Sequence, residues 1–478
     1  MTILKNYIEG EWVTSGDISM NINPSDTIDT IGAYAQADKA QTEQAIAAAS
    51  QAFKNWSRSG IQQRSEILDR IGNEILLHKS ELGNLLAREE GKTLPEAIGE
   101  VTRAAQIFKF YAGEALRLQG DLIPSTRPGI DVEISREALG VIGIITPWNF
   151  PIAIPAWKIA PALAYGNTVV FKPAALTPGS AWALADIISR SGLPKGVFNL
   201  VMGPGSSVGQ TLLDDKRVKG ISFTGSVNIG QKVAESCSRR RGKYQLEMGG
   251  KNPLVVLADA NMETAVNCAL NGAYFSTGQK CTASSRLIVE DRVHDEFVER
   301  LRKRIEDLVV DDARKEGTQI GPVVSASQLK QNLEYIDIAL SEGATKVIGG
   351  ESVERDRPGY YMTPALFTNT ENSWRINQEE IFGPVATTIR AEDLDHAITI
   401  ANDTEFGLSA GLCSQSLSAV RKFKQESQAG MVMINLPTAG VDYHVPFGGT
   451  KGSSHGSREQ GRYAAEFYTT VKTAYIGG

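Results

Sequence analysis

A continuous apolar run over residues 140–145, Gly-Val-Ile-Gly-Ile-Ile, constrains the fold of this chain more than any other stretch. A strand without alternating polar residues fits a parallel sheet whose two faces are both covered by helices. Strand-like runs then alternate with amphipathic helical segments. The predicted strands lie at 168–171, 197–201 and 220–223, and the predicted helices at 180–191, 207–213 and 229–238. This alternation is typical of a doubly wound α/β domain.

A second alternating unit begins near residue 252. Its predicted strands lie at 253–257, 286–289, 385–389 and 429–435, and its predicted helices at 262–275, 293–309 and 394–401. The first of these helices ends at a polar, glycine-led loop that contains Cys281. At 478 residues the chain is too long for a single hydrophobic core, so at least two large domains are expected.

The two ends of the chain have a different character. Short strands are predicted over 6–23, and three amphipathic packing helices over 42–56, 61–90 and 94–118. Residues 131–135 and the tail 466–476 alternate apolar and polar side chains, as half-exposed strands do. An exposed strand at a chain end needs a partner strand, and pairing with a second subunit would provide one. The tail therefore favours an oligomer.

Composition excludes several classes of function. The net charge of −6, with acidic and basic residues interspersed, gives no electrostatic case for nucleic acid or an anionic membrane surface. Four cysteines without CxxC spacing and only five histidines predict neither a metal site nor disulfides. No signal-peptide pattern is present, and no apolar run approaches the ~20 residues that span a bilayer. A reducing compartment, the cytoplasm, is the expected location.

Cys281, in the run Gly-Gln-Lys-Cys-Thr at 278–282, is the candidate nucleophile. A lone cysteine is more often an inert buried thiol, so a base and a charge-stabilising group are needed to support this role. Glu247 is a possible base, because it precedes two glycines at the end of a predicted strand. Asn149 lies in a proline-bracketed turn, and its amide N–H could form an oxyanion hole with the backbone N–H of Cys281.

Several turns could hold a dinucleotide. The run 203–209 follows a strand but misses the GxGxxG pattern by one residue. Ser226 follows another strand, where it could cap the next helix and help to bind a phosphate; a plain capped turn is the alternative. Lys172 ends a buried strand, the position at which ligands lie in open α/β sheets, although a solvated lysine is equally compatible. Residues 380–384 place a carboxylate and an aromatic ring in a further turn.

Six short motifs occur in a fixed order. They are Pro-Trp-Asn-Phe-Pro at 147–151, Phe-Thr-Gly-Ser at 223–226, Glu-Met-Gly-Gly at 247–250, Gly-Gln-Lys-Cys at 278–281, Glu-Ile-Phe-Gly-Pro at 380–384 and Pro-Phe-Gly-Gly at 446–449. Over nearly the whole chain this set resembles the aldehyde dehydrogenase superfamily. The resemblance implies an α/β fold with a Rossmann-like cofactor domain (1–117 and 139–248), an α/β catalytic domain (249–463) and a small β oligomerisation domain (118–138 and 464–478). It also implies a homodimer or homotetramer.

The resemblance implies a catalytic set. Cys281 would attack an aldehyde to give a thiohemiacetal, and Asn149 with the Cys281 N–H would hold the oxyanion. After oxidation to a thioester, Glu247 would activate the hydrolytic water and could also deprotonate the thiol. Glu459 matches a second acid that could relay protons, and Lys172 completes the set.

The resemblance also implies an NAD or NADP site. Within it, Lys172 would contact the adenine-side ribose, Ser226 the pyrophosphate and Glu380 the nicotinamide ribose, with Phe382 packed nearby. The other residues assigned to it are Thr146, Pro147, Trp148, Ala174, Ala175, Gly205, Gly209, Phe223, Gly225, Glu247 and Cys281. NAD-preferring members commonly carry a glutamate where this chain has Ala175. Without that carboxylate a 2′-phosphate could lie against Lys172, so NADP is expected to be accepted and even preferred.

The residues predicted to contact substrate are Phe150, Trp157, Lys280, Thr282 and Phe447. The sequence near Lys280 and over 440–475 is most similar to α-ketoglutaric semialdehyde (2,5-dioxopentanoate) dehydrogenases. A carboxylated substrate needs a cationic group, for which Arg103, Lys280 and Arg458 are candidates. Succinate semialdehyde and a small hydroxyaldehyde are alternative substrates.

Three other classes of protein are alternatives, and a feature of the sequence argues against each. An acylating, coenzyme A-dependent dehydrogenase needs no hydrolytic base, and a thiol hydrolase pairs its cysteine with histidine. A non-catalytic binding or structural protein on the same fold would be expected to lose Cys281, Glu247 or Asn149, and all three are present.

Overall fold

Strands and helices alternate along most of the chain in the computed structural model, which describes residues 2–477. The first part contains β1 (Ile3–Leu4), β2 (Asn6–Ile8), β3 (Glu11–Val13), β4 (Asp17–Asn23), β5 (Asp26–Gln36), α1 (Lys39–Trp56), α2 (Ile61–Leu77), α3 (Lys79–Glu90), α4 (Leu94–Glu114), β6 (Asp121–Pro124), β7 (Ile130–Ala138), β8 (Val141–Ile145), α5 (Ala153–Ala164), β9 (Thr168–Lys172), α6 (Pro178–Ser189), β10 (Phe198–Leu200), α7 (Gln210–Asp214), β11 (Val218–Thr224), α8 (Val227–Arg239) and β12 (Lys243–Glu247).

The second part contains β13 (Asn252–Val256), α9 (Met262–Ala273), β14 (Ser284–Glu290), α10 (Asp291–Glu306), α11 (Ala326–Glu342), β15 (Thr345–Ile348), β16 (Ala365–Thr368), α12 (Arg375–Gln378), β17 (Val385–Ala391), α13 (Leu394–Asn402), β18 (Phe406–Gly407), β19 (Ser409–Cys413), α14 (Leu417–Glu426), β20 (Met431–Ile434), β21 (Thr450–Lys451), β22 (Ser454–His455), α15 (Ala465–Tyr468) and β23 (Thr469–Gly477).

The apolar run at 140–145 forms β8, at the centre of an eight-stranded sheet ordered β22-β12-β11-β8-β9-β10-β2-β3. β8 lies parallel to β9 and β11, and Ile145 is in register with both Lys172 and Phe223. Thr224 is in register with Glu247 on the next strand. Since carboxyl ends of parallel strands share one edge, this register brings Lys172, Thr224 and Glu247 to the same edge of the sheet.

The second large sheet has seven strands in the order β15-β16-β17-β14-β13-β19-β20, and all but β15 run parallel. The loop that contains Cys281 leads directly into β14, near the middle of this sheet. β22 comes from the late part of the chain but pairs with β12 of the first sheet, with Glu247 opposite Ser454. The two sheets are thereby joined beside Glu247.

A three-stranded sheet, ordered β23-β7-β6, combines the tail with residues 121–138. The tail was expected to need a partner strand, and β23 pairs antiparallel with β7 of its own chain over nine residues. One edge of β23 is left without a neighbouring strand among residues 2–477. A fourth sheet, β1-β5-β4, packs near the N-terminus. The domain division stays a prediction, and Met1 and Gly478 lie outside the described residues.

Helices α11 and α14 had not been predicted, and three further local structures differ from the sequence prediction. The helix predicted over 61–90 is two helices, because His78 has φ −97° and ψ 14° and interrupts the backbone ladder. Helix α5 was not predicted; Pro155 lies in its first turn, where no N–H is needed, and Pro161 lies inside the helix. Residues Gly205–Gly209 form a π-helical turn before α7.

Candidate active site

The loop before Cys281 has an unusual backbone. Ser276, Thr277 and Gly278 have φ values of 54°, 55° and 65°, which places three consecutive residues in the left-handed region. A Cβ atom on Gly278 would collide with the carbonyl oxygen of Gly383. Residues other than glycine pay about 1–3 kcal/mol for such a conformation, so surrounding contacts must stabilise this loop.

Those contacts come from both sides of the loop. The Glu96 carboxylate accepts hydrogen bonds from the backbone N–H of Ser276 at 2.8 Å and from its hydroxyl at 3.1 Å. Thr277 Oγ1 donates to Gly321 O at 3.1 Å, and Gln279 Oε1 accepts from the Val324 N–H at 3.0 Å. The Glu96 side chain of α4 and backbone groups of the 321–324 segment therefore fix the approach to the cysteine.

The backbone of Cys281 is held by the segment that follows Glu247. Asn252 Nδ2 donates to Cys281 O at 2.8 Å and to Ala283 O at 2.9 Å. Burial raises the pKa of the Cys281 thiol to about 12, with further contributions from the carboxylates of Glu380 and Glu247. The thiol is therefore protonated at neutral pH in this arrangement, and a base is needed to activate it.

Asn149 lies directly beside this loop. Its Nδ2 atom donates to Gln279 O at 3.0 Å, and the side chain is buried. An amide has two N–H groups, so the second is free to donate elsewhere. The backbone carbonyl of Asn149 accepts a 2.7 Å hydrogen bond from Lys92 Nζ. The same ammonium group pairs with the Glu100 carboxylate at 2.7 Å.

The sequence analysis did not identify Lys92 and Glu100. Both are buried, and the Lys92 ammonium lies 3.8 Å from the centre of the Phe150 ring. Glu100 Oε1 accepts from the N–H groups of Ile152 at 2.9 Å and Ala153 at 3.1 Å, at the start of α5. Glu100 lies on the amphipathic helix α4, where a charge resembles a solvent-facing residue, and Lys92 lies in the short connection before that helix, so periodicity gave no signal for either.

Glu247 is buried at the end of β12 and accepts a 2.5 Å hydrogen bond from Ser454 Oγ. Burial and the nearby Glu459 carboxylate raise the pKa of Glu247 well above its ordinary value. Glu459 is itself buried and forms an ion pair with Lys158, which also donates to Ser222 Oγ at 2.9 Å. Lys158 was also missed, although it is a single charge inside the apolar stretch 152–164.

Glu380 reaches back to the segment that follows Glu247. Its Oε1 atom accepts from the Gly250 N–H at 3.0 Å, and its carboxylate packs against Gly249, where a Cβ atom would overlap it. Burial raises the pKa of Glu380 to about 7. Phe382 has φ 61°, and its ring meets that of Trp148 edge to face with centroids 5.3 Å apart.

Most of the residues predicted to bind a dinucleotide lie at or after the ends of strands in the first sheet, or in the turn before α7. Thr146, Pro147 and Trp148 follow β8; Ala174 and Ala175 follow β9, which Lys172 ends; Gly205 and Gly209 bound the π-helical turn; Phe223 lies in β11, and Gly225 and Ser226 follow it.

Polar groups at this edge are left available. Burial lowers the pKa of Lys172 to about 8, and its ammonium donates to the adjacent Pro173 carbonyl at 2.9 Å. Thr224 Oγ1 is buried without a hydrogen-bond partner among residues 2–477. Ser226 occupies the N-cap position of α8, but its hydroxyl makes no capping bond, which corrects the expectation that it caps the helix. Such free donors at a helix N-terminus fit a phosphate group.

A pocket of about 320 Å³ reaches Cys281 from the other side. All five residues predicted to contact substrate line it: Phe150, Trp157, Lys280, Thr282 and Phe447. The rings of Trp157 and Phe447 lie 5.5 Å apart and form an aromatic wall. Ala153 and Ile154, which the family resemblance places beside Phe150 and Trp157, also line the pocket. The lining residues that were not predicted to contact substrate are Lys92, Glu96, Gly99, Glu100, Ser276, Ala439, Gly440 and Val441.

The three cationic residues considered for binding a substrate carboxylate do not all lie at the pocket. Arg103 and Lys280 line the pocket. Arg458 is not part of the lining; its guanidinium donates to the Gly449 carbonyl and lies close to Glu247. Arg458 is therefore placed behind the proposed base and away from the substrate side.

Sequence and structure comparisons agree with this arrangement. The sequence model of the Aldehyde dehydrogenase family matches residues 12–474. The chain belongs to the aldehyde dehydrogenase family. It is therefore an aldehyde oxidoreductase, and the fold class and family inferred from the sequence are confirmed.

Individual relatives of this aldehyde dehydrogenase cover nearly its whole length. The alpha-ketoglutaric semialdehyde dehydrogenase of Bacillus subtilis (strain 168) is 44% identical over 475 residues, 98% of this chain and 97% of the relative. The crystal structure of betaine aldehyde dehydrogenase from Staphylococcus aureus in complex with NAD+ has a TM-score of 0.97 and 34% identity, covering 99% of this chain and 95% of that one. An E. coli NADP dependent enzyme has a TM-score of 0.96 and 36% identity, covering 99% and 98%.

Over residues 2–477, no helix combines the length and apolar character needed to cross a bilayer. The cytoplasmic location stays a prediction.

Proposed function

We propose that this aldehyde dehydrogenase oxidises α-ketoglutaric semialdehyde (2,5-dioxopentanoate) to 2-oxoglutarate with NAD(P)+. The observation that carries the proposal is the pocket at Cys281, which combines an aromatic wall with cationic side chains that include Arg103 and Lys280. Such a lining suits an aldehyde with a negative charge at its far end. The name of the Bacillus subtilis relative supports the same substrate. Succinate semialdehyde fits the same charge argument, and a small hydroxyaldehyde fits it less well.

In the proposed reaction, Cys281 Sγ forms a bond with the aldehyde carbon, and the thiol proton passes to the Glu247 carboxylate and on to solvent. The resulting oxyanion would accept hydrogen bonds from the free N–H of Asn149 Nδ2 and from the Cys281 N–H. A bound NAD(P)+ would supply the hydride acceptor, and loss of the hydride would turn the Cys281-bound carbon into a thioester carbonyl. Support for the geometry comes from the 3.0 Å bond between Asn149 and Gln279, two residues before the nucleophile.

Hydrolysis of the thioester needs a water molecule and a base. Glu247 takes a proton from the water, whose oxygen bonds to the carbonyl carbon while the Cys281 thiolate leaves. The overall change is aldehyde, NAD(P)+ and water to carboxylate, NAD(P)H and two protons. The buried Lys158–Glu459 pair beyond Glu247 offers a path along which the proton can leave. Because burial and the Glu459 carboxylate raise the pKa of Glu247, the rate of hydrolysis is expected to rise with pH as Glu247 loses its proton.

The same proposal assigns the cofactor to the edge of the eight-stranded sheet. Lys172, Thr146 and Ser226 would hold its ribose and phosphate groups, and Glu380 and Phe382 its nicotinamide end. Lys172 has no carboxylate hydrogen-bonded to it among the described residues, and Ala175 is exposed beside it. Without a carboxylate at that position nothing repels a 2′-phosphate, so NADP is expected to be accepted and even preferred.

We propose in addition that the protein is a homodimer or homotetramer. The β23-β7-β6 sheet exposes apolar side chains on β6 and β23, including Leu122, Val471 and Tyr475. Patches of this kind often mark contacts between proteins. Sedimentation velocity would test this assignment, and a monomer at micromolar concentration would contradict it.

The test of the main proposal is a screen of aldehydes against both cofactors. Without coenzyme A, the enzyme should form NAD(P)H fastest with α-ketoglutaric semialdehyde and release a free acid. Cys281→Ala is the control, and should lower the rate by at least about a thousandfold. Faster turnover of an uncharged aldehyde would overturn the substrate assignment. A strict requirement for coenzyme A would point to an acylating enzyme, and a lack of NAD(P)H with every aldehyde to a non-catalytic protein.

A further inference from the structure

The pocket at Cys281 contains five charged side chains, three cationic and two acidic. They are Lys92, Arg103, Lys280, Glu96 and Glu100. An ionised group inside a protein is normally paired, because an unpaired charge is costly to remove from water. The partners of each charge therefore show which one is left for a ligand.

Four of the five charges are accounted for by the protein. Lys92 and Glu100 form a buried ion pair at 2.7 Å. Glu96 binds the N–H and hydroxyl of Ser276, and its charge raises the pKa of Lys280 against the larger lowering effect of burial. Lys280 Nζ also donates to Asn271 O at 2.9 Å, near the C-terminal end of α9. Arg103 is therefore the one charged side chain of the five that these contacts do not pair.

Arg103 has no carboxylate partner among residues 2–477. Its half-buried guanidinium donates through Nη1 to the Val441 carbonyl, on the opposite wall of the pocket. A guanidinium has five N–H groups, so donors remain after this contact. The carbonyl contact orients the planar group without neutralising it.

Helix α4 sets how far Arg103 lies from the reacting end. Glu96, Gly99, Glu100 and Arg103 follow the i, i+3, i+4, i+7 spacing of one helical face, and all line the pocket. Glu96 contacts the nucleophile loop, and Arg103 lies two turns further on, roughly 10 Å along the axis. Gly99, one turn before Arg103, has open space at its Cβ position and leaves room for a ligand between the two ends.

We propose that Arg103 is the specificity residue of this enzyme and binds the distal carboxylate of the substrate. This inference rests on the proposed function and names the group that selects the substrate. Lys280 is less suited to the role, because it is adjacent to the nucleophile in sequence and its ammonium is directed to Asn271 O. Arginine also matches a carboxylate with two parallel hydrogen bonds, which lysine cannot do.

The experiment compares two aldehydes of equal carbon number, α-ketoglutaric semialdehyde and pentanal. Arg103→Met should lower the ratio of their kcat/KM values by about 10- to 100-fold, mainly through a higher KM for the carboxylated aldehyde. Arg103→Lys, which keeps the charge but loses the paired hydrogen bonds, should cause a smaller fall. Lys109→Met removes a cation from the same helix, where it pairs with Asp69, and should leave the ratio within about threefold.

Two outcomes would overturn the inference. One is an Arg103→Met enzyme whose ratio changes less than about threefold, or that loses activity on both aldehydes equally, as a structural role would cause. The other is the large fall appearing in Lys280→Met instead. Failure of the proposed function is distinguishable, since the unmodified enzyme would then form no NAD(P)H from the carboxylated aldehyde. Thermal unfolding of each variant confirms that it is folded.

Discussion

The nucleophile loop and the cofactor edge of the first sheet differ in how their polar groups are used. In the loop, Ser276, Thr277, Gln279 and Cys281 all have a backbone or side-chain polar group bonded to another segment. At the cofactor edge, the Thr224 hydroxyl has no partner among the described residues.

The same contrast holds for Ser226, whose hydroxyl does not cap its helix. In the nucleophile loop, the hydrogen bonds hold a strained backbone in a single geometry. At the cofactor edge, donors remain free for a ligand. We infer that the loop is built before substrate binds, whereas the cofactor edge is completed by the cofactor.

The largest effect is expected from Asn149→Ala. This change removes one donor to the developing oxyanion, and such donors are worth about 10²- to 10³-fold in kcat. The cofactor KM should change little, because the amide is directed to Gln279 on the loop side. Steady-state kinetics check this, and a loss smaller than about tenfold would remove Asn149 from the proposed oxyanion hole.

Gly278→Ala tests whether the loop geometry is fixed. The added methyl would meet the Gly383 carbonyl in a backbone already at φ 65°, so we expect a lower Tm and activity reduced by tens of fold, a loss on the order of 2 kcal/mol.

Gly129→Ala is the matched control for Gly278→Ala. Gly129 also has positive φ, 74°, but its Cβ position is open, so only the conformational cost of about 1 kcal/mol applies. Equal effects on activity from the two variants would mean that the Gly383 contact is unimportant.

The pH dependence of thiol alkylation tests the electrostatics of the loop. Because burial and the Glu380 and Glu247 carboxylates raise the thiol pKa to about 12, the thiolate fraction of Cys281 should grow about tenfold per pH unit between roughly pH 7 and 10. Alkylation by iodoacetamide should follow that slope, and Glu380→Gln should speed it. A plateau near neutral pH would show that the free enzyme already holds a thiolate.

On the cofactor side, Ala175→Glu is expected to have the smallest effect. A carboxylate at this exposed position beside Lys172 would repel a 2′-phosphate, so kcat/KM for NADP should fall about tenfold relative to NAD. Initial rates with both cofactors check this. A ratio that does not move would mean that the 2′-phosphate lies elsewhere.

Much of the fold could be predicted because its strands are apolar and its turns carry glycine. The buried strand β8 and the strands next to it appeared where the sequence placed them. Helix α5 was not predicted. Proline usually ends a helix, and this one contains two, of which Pro155 lies in the first turn, where no donor is required. The break at His78 was missed because one residue does not disturb the apolar periodicity.

The site shows a similar division. Motif residues such as Asn149 and Glu247 could be named from the sequence, because glycine and proline mark the turns that carry them. Lys92 could not, since its role depends on a carbonyl 57 residues away that only the tertiary structure brings within 2.7 Å. Lys158 left a usable signal, a single charge within an apolar stretch that forms helix α5.

A single-turnover experiment on Glu247→Gln tests the central claim, that Cys281 carries the substrate as a thioester which Glu247 helps to hydrolyse. Mixed with NADP+ and α-ketoglutaric semialdehyde, the variant should release one NADPH per active site in a burst and then turn over slowly. Mass spectrometry of the acid-quenched protein should locate the acyl group on the peptide that contains Cys281. Steady turnover at the unmodified rate, or an acyl group on another residue, would contradict the account.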